Sequence, residues 1–360
     1  PTGPRPGPII VLIEGPREPG SPHAVPSRRD PRSRFHSQKA VIVGRYGLGE
    51  LLPTRAAYGE ALRDLGAVNE QVVVLEADIG KSTRSVLFGE AFPERYFNLG
   101  VAEQNEMAVA AGLSSCGKIP FVSTYAVFAS LRACEQVRTF VAYPRANVKI
   151  CPSHGGLTPG NDGPTHQATE DLGIMRTIPN MTVCMPTDAS MAYQAVFAAA
   201  ELEGPLYLRL TRDPVPVLYG DELGFEFGKA IVLRTGGDAA IVANGDLVSQ
   251  ALAAADRLAS AGIATTVIDV HTLKPLDEAC LLEHCADVRF VVTAEDHQVN
   301  GGLGSAVAEL LGEHMPRPMK RIGLQDTFAE SGPYPSLLVK YGLDAGAIER
   351  AVLAGLEVST

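Results

Sequence analysis

The sequence predicts an α/β fold: two consecutive modules, each with a mainly parallel sheet covered by helices. Three features carry this expectation. From Thr54 onward, short continuous apolar runs alternate with segments of helical period, as in parallel sheets buried on both faces. Two such sets are separated by DPVPVLYGDELGF (213–225), which holds two prolines and a Gly-Asp turn. A chain of 360 residues also has the length of about two ordinary domains.

The elements follow in order. The first fifty residues, with PTGPRPGPII and REPGSPHAVPSRRDPRSRF, are dense in Pro and Arg and lack any period, so 1–50 is read as a flexible extension. IIVLIEG within it has the composition of a short strand isolated by prolines, and the long apolar core of a secretory signal is missing. The first module, 51–218, opens on a helix at TRAAYGEAL. VVVLEAD (72–78) is a buried strand, and GVAEQNEMAVAAGL (100–113) leads into a helix. NVKICPSH (147–154) and MTVCMP (181–186) are further strands. A helix then runs from DASMAYQAVFAAAELEG, with Asp188 as N-cap and Gly204 as stop. PLYLRLTR (205–212) closes the set, and 219–228 is read as the linker. The second module, 229–360, contains a βαβ unit: DAAIVANGD (238–246), a helix to Gly262, and ATTVIDV (264–270). VRFVVTAED (288–296) feeds NGGLGSAVAELL, a glycine turn into a helix. That turn lacks full GxGxxG spacing, so a tight strand-to-helix connection is the better reading than an anion site.

Composition narrows the function classes. The chain is 46% hydrophobic and 20% charged, and no uncharged apolar run approaches the ~20 residues of a membrane helix. A net charge of −10 argues against nonspecific nucleic-acid binding, while leaving room for a local basic patch that holds an anion. The six cysteines form no CxxC pair and have no His partner at zinc-finger spacing. They read as reduced, mostly buried thiols of a cytoplasmic protein.

Ligands of open parallel sheets sit at the carboxyl ends of strands, and in the first module these ends are polar. Asp78 ends one strand, followed by Lys81, Ser82 and Thr83. SHGGLTPGNDGPTHQ places His154, Asp162 and His166 in one glycine-rich loop. Arg212 ends another strand, and Arg55 starts the first helix. Each has a plain alternative: Asp78 and Asp162 as turn formers, the histidines as structural, the arginines as surface charge. Together, two Arg, a Ser hydroxyl and a His suit a phosphate. No metal motif is apparent; His154 and His166 lie twelve residues apart on an irregular loop, so zinc ligation there stays open but needs further ligands. In the helix after Gly100, Glu106 reads as a first-turn acid favoured by the helix dipole. Glu103 raises a sharper question, because it enters an apolar helix and a lone buried carboxylate is costly.

GVAEQ, FVSTYAVFAS, GNDGPTHQ, TRAAYGEAL and LRLTRD occur in an order that resembles the C-terminal half of transketolase, from about Thr54 to the end. The resemblance implies a thiamin diphosphate-binding pyrimidine domain followed by a transketolase C-terminal domain. It implies that Glu103 bonds the cofactor's aminopyrimidine and promotes its imino form, and that Tyr125 and Phe128 flank that ring. Tyr125 stands where Phe is common, which keeps a stacking face. Asp78 and Ile79 match the pair beside the cofactor, and His166 a proton-transfer histidine. Asp162 matches a group reading a substrate hydroxyl, while Arg55, Ser82, His154 and Arg212 match the cluster holding a sugar phosphate.

The diphosphate-binding domain of full-length transketolases, with its GDG motif and Mg²⁺ ligands, is not found in these 360 residues. The resemblance therefore implies one subunit of a split transketolase. An N-terminal, diphosphate-binding chain would bring the Mg²⁺ ligands, and two chains of each kind would form a heterotetramer. Three alternatives stay open: a 1-deoxyxylulose-5-phosphate synthase-like enzyme, a 2-oxoacid dehydrogenase β-like subunit, and a catalytically silent structural subunit.

Overall fold

The computed structural model describes residues 45–358, so IIVLIEG and nearly all of the extension lie outside the described residues. The first module is built on a seven-stranded sheet. Its order in space is Thr272–Lys274, Thr182–Cys184, Leu206–Leu208, Lys149–Ile150, Ile119–Ser123, Val72–Glu76 and Tyr96–Asn98. Six strands are parallel. The seventh, Thr272–Lys274, comes from far along the chain and pairs antiparallel with the edge, Thr272 opposite Cys184 and Lys274 opposite Val183. Val72–Glu76 and Ile119–Ser123 are buried along their whole length, as continuous β-branched and aromatic runs between two helical layers should be.

The second module holds a five-stranded sheet in the order Met319–Leu324, Phe290–Gln298, Ala239–Ala243, Thr265–Asp269 and Ile231–Arg234, the last antiparallel. The βαβ unit is present as expected, with helix Leu247–Ser260 joining its parallel strands. Helix Ala189–Glu201 is capped as expected: Asp188 accepts from Met191 N at 2.8 Å. The same carboxylate accepts from Leu218 N and Tyr219 N at 2.6 and 2.9 Å. The helix ends at Leu202, two residues before Gly204. The stretch after Arg212 is not a free tether at its start, since Val215–Pro216 pairs antiparallel with Leu51–Leu52.

The glycine turn 300–304 is occupied from within. Glu295, fully buried, accepts from Leu303 N and Gly304 N at 2.7 and 2.8 Å at the start of helix Leu303–His314. An internal carboxylate thus fills the N-terminus that an external anion would need. All six cysteines are free; three are buried, two half-buried, and Cys116 is exposed. Among the described residues, no helix is long and apolar enough to cross a membrane.

One buried arginine joins the modules. Arg209 is fully buried, donates to the carbonyls of Ala168 and Asp296 at 2.9 and 2.8 Å, and lies 3.3 Å from Asp171 Oδ2. Asp296, from the second sheet, accepts from Leu157 N at 3.1 and 2.8 Å. Gly155 and Gly156 are required here. A Cβ on either would collide with Arg209 or Asp296, and Gly156 also has φ +60°. A carboxylate of the second domain therefore anchors the loop that carries His154.

Candidate active site

The carboxyl ends of four adjacent strands assemble the site. Main-chain bonding continues past the named strands: Ser153 N donates to Thr124 O at 3.0 Å and Ala126 N to Ser153 O at 2.8 Å. This sets Tyr125 and His154 side by side, ring centroids 3.9 Å apart. Phe128 lies 6.1 Å from Tyr125, nearly parallel to it, and His166 meets both rings edge-on at 5.5 and 6.1 Å. Four rings thus form one aromatic wall from residues forty apart in sequence.

At one end of this wall is a cationic cluster. Thr54, first residue of helix Thr54–Val68, exchanges hydrogen bonds with Thr211, its N donating to Thr211 Oγ1 at 3.2 Å and its Oγ1 accepting from Thr211 N at 2.7 Å. That clasp brings Arg55 next to Arg212. Arg55 donates to the Ser82 carbonyl at 2.7 Å, which places Ser82 in the group. Arg212 donates to the Pro159 carbonyl and reaches Asp162 Oδ2 at 3.3 Å. Burial, then Arg212 and Arg84, lower the pKa of Arg55, the mark of cations gathered without enough countercharge. Arg84 is a member that sequence reasoning missed; it looks like surface charge and sits at φ +69° beyond a short helix. His154 is buried, bonds Ser153 Oγ through Nδ1 at 2.8 Å, and is pushed down to about 3 by burial and by Arg55, Arg212 and His166. It is a neutral imidazole at physiological pH.

At the other end is Glu103, the first residue of helix Glu103–Ser115 and only 2% exposed. The partner that its burial demands is Arg132, which donates to both carboxylate oxygens at 3.0 and 2.8 Å. Sequence reasoning missed Arg132, which is half-exposed, with 46% of its side chain accessible. Its guanidinium also lies 4.3 Å above the Phe128 ring. A planar N–H donor that stacks on Phe128 and bonds Glu103 makes the two contacts an aminopyrimidine would need, so the residues present fit that half of the cofactor.

Asp78 and Ile79 occupy the turn after Val72–Glu76. Asp78 is exposed at φ +62° and accepts from Asn98 Nδ2 at 2.9 Å; Asn98 in turn holds Gly100 N, just before the Glu103 helix. Ile79 N donates to the buried Glu76 carboxylate at 2.6 Å. Glu106 departs from its expected role. It is in the first helical turn, but its side chain points into the protein and is fully buried.

Sequence models of two domains match the chain: the transketolase pyrimidine-binding domain over residues 50–217 and the transketolase C-terminal domain over 228–348. The chain belongs to the transketolase family. It is 44% identical over 302 residues to a candidate transketolase C-terminal section of Methanocaldococcus jannaschii, covering 83% of this chain and 95% of that protein. It is 43% identical over 297 residues to the 6-deoxy-6-sulfo-D-fructose transketolase subunit of a Clostridium species, covering 82% and 92% of the two chains. A solved structure described as a split gene transketolase, inactive beta4 tetramer, superposes with a TM-score of 0.81 at 49% identity, covering 86% of this chain and all of that one. Against rat transketolase, 35% identical, the match spans 85% of this chain but 49% of the relative.

Proposed function

We propose that this chain is the pyrimidine-binding subunit of a split transketolase, which transfers a two-carbon ketol unit between sugar phosphates together with a separate diphosphate-binding subunit. The carrying observation is Glu103: a buried carboxylate beside an aromatic wall, held among the described residues by a half-exposed arginine. Thiamin diphosphate, when bound, supplies the nucleophilic carbon and the electron sink for the two-carbon unit. Glu103 holds and exchanges a proton at the aminopyrimidine, while Tyr125, Phe128 and Ile79 orient that ring, with Asp78 bracing the turn beside it. His166, lying against both aromatic rings, moves a proton at a substrate oxygen. Asp162 reads a substrate hydroxyl, and Arg55, Ser82, His154 and Arg212 hold the phosphate.

The relatives of similar length, a candidate transketolase C-terminal section and a transketolase subunit, support a split arrangement; in this reading the diphosphate and Mg²⁺ ligands lie on the partner and two copies of this chain form the core. Co-expression with a diphosphate-binding partner tests it, assayed with xylulose 5-phosphate, ribose 5-phosphate, thiamin diphosphate and Mg²⁺. Transfer that needs both chains is the expected result. Robust transfer by this chain alone overturns the split arrangement, and a cofactor-loaded complex inert toward sugar phosphates overturns the substrate class.

A further inference from the structure

Glu103 and Glu106 stand three residues apart on one helix, so both side chains lie on the same face. Both are buried, at 2% and 0% exposure. Their partners differ completely. Arg132 holds both oxygens of Glu103, whereas neither oxygen of Glu106 completes a well-formed hydrogen bond among the described residues; the neighbouring main-chain N–H of Ser123 offers it a weak contact that offsets its burial only in part. The titratable groups around Glu106 are Glu103 on its own helix, Glu76 on strand Val72–Glu76, Tyr58 on helix Thr54–Val68 and Tyr96 on the edge strand. Neither tyrosine hydroxyl is turned to it; Tyr58 bonds Ser123 Oγ at 2.6 Å and Tyr96 bonds Ser85 Oγ at 3.3 Å. No cation is among the groups acting on Glu106, and Arg132 is engaged by Glu103.

An ionised carboxylate in that position would lack a countercharge and face two other acids, the most expensive arrangement available to it. We propose that Glu106 is a positioning residue that carries a proton beneath Glu103, so that the acid pair bears one negative charge and that charge stays on Glu103. Burial, then Glu103 and Glu76, hold the Glu106 carboxyl well above the usual range, in the same direction. A second charge at Glu106 would strengthen the hold of Glu103 on its own proton and stop it exchanging one. This role rests on the reading of Glu103 as the proton-exchanging carboxylate.

The test compares thermal and denaturant stability of the wild type, Glu106→Gln and Glu106→Met across pH, each in the native and the Glu103→Gln background. A proton held in the fold and lost on unfolding makes the wild type weaken against the neutral variants by about tenfold in folding constant per pH unit above ~4.3, until the folded-state pKa is reached. In the Glu103→Gln background that limit should fall, because one neighbouring charge is gone. A pH-independent difference, or one identical in both backgrounds, overturns the proposal. In the two-chain complex, Glu106→Gln should also raise the alkaline limb of the ketol-transfer pH profile by about one unit or more. An unmoved limb overturns the positioning role. If the complex transfers no ketol unit, the functional reading fails, and the stability comparison still decides where the proton sits.

Discussion

Glu295 and Glu103 are both buried carboxylates at the N-termini of helices, yet the structure uses them in opposite ways. Glu295 is satisfied by two main-chain N–H groups, at 2.7 and 2.8 Å, that cannot leave without unwinding their helix. Glu103 is satisfied by one long side chain that reaches in from the surface. A carboxylate bound to backbone is a structural cap, whereas one bound to a half-exposed arginine can exchange that partner for a ligand. Buried charge alone does not mark a functional acid; the replaceability of its partner does.

The contrast can be broken at several points. The largest effect is expected from Glu103→Gln in the two-chain complex, a loss of about 10²–10⁴-fold in ketol transfer with little change in melting temperature. A collapse of stability instead would make Glu103 a cap like Glu295. Next, Glu295→Ala leaves two buried N–H groups unpaired and should lower unfolding free energy by about 2–4 kcal/mol, read by denaturant titration. Full stability in that variant would erase the distinction.

Arg55→Ala and Arg212→Ala test the cationic end. Each removes a charged donor to an anion, so KM for a phosphorylated donor should rise about 10–100-fold with kcat less affected. Equal losses with a free sugar would remove phosphate from the assignment. The smallest effect concerns His154. Its folded pKa of about 3 lies below the unfolded value near ~6.5, so its contribution is fully present above that value. It is lost as pH falls from ~6.5 toward 3, because the unfolded chain takes up a proton that the folded one refuses. His154→Gln should therefore flatten the decline in melting temperature on acidification, and an unchanged slope would place that imidazole in a more polar setting.

Much of the fold was legible because VVVLEAD, DAAIVANGD and VRFVVTAED carry short, β-branched apolar runs, too short for a buried helix and suited to a buried parallel sheet. The helix signals around Asp188 were equally local. Strand Thr272–Lys274 was not legible, since three residues carry no period and its partner lies some ninety positions away. At the site, the strand ends exposed Asp78, His154 and Arg212 to view. Arg132 and Arg84 looked like surface charge, and the inward direction of Glu106 depends on how its helix packs. The glycines of HGGL were visible, but their reason, Asp296 and Arg209 pressing on the loop, belongs to contacts across two domains.

That late strand bears on synthesis and on evolution. The first sheet keeps an open edge at Thr182–Cys184 until residue 274 has emerged from the ribosome, because the strand that covers this edge is encoded within the following domain. Lys274 secures the join by donating to the Arg176 and Ile178 carbonyls at 2.9 and 2.6 Å. A gene cut between the two domains would strand that edge, and recombination that exchanged the second domain would have to carry a matching strand with it. One domain completes the other's sheet, so neither is a self-contained piece of the fold.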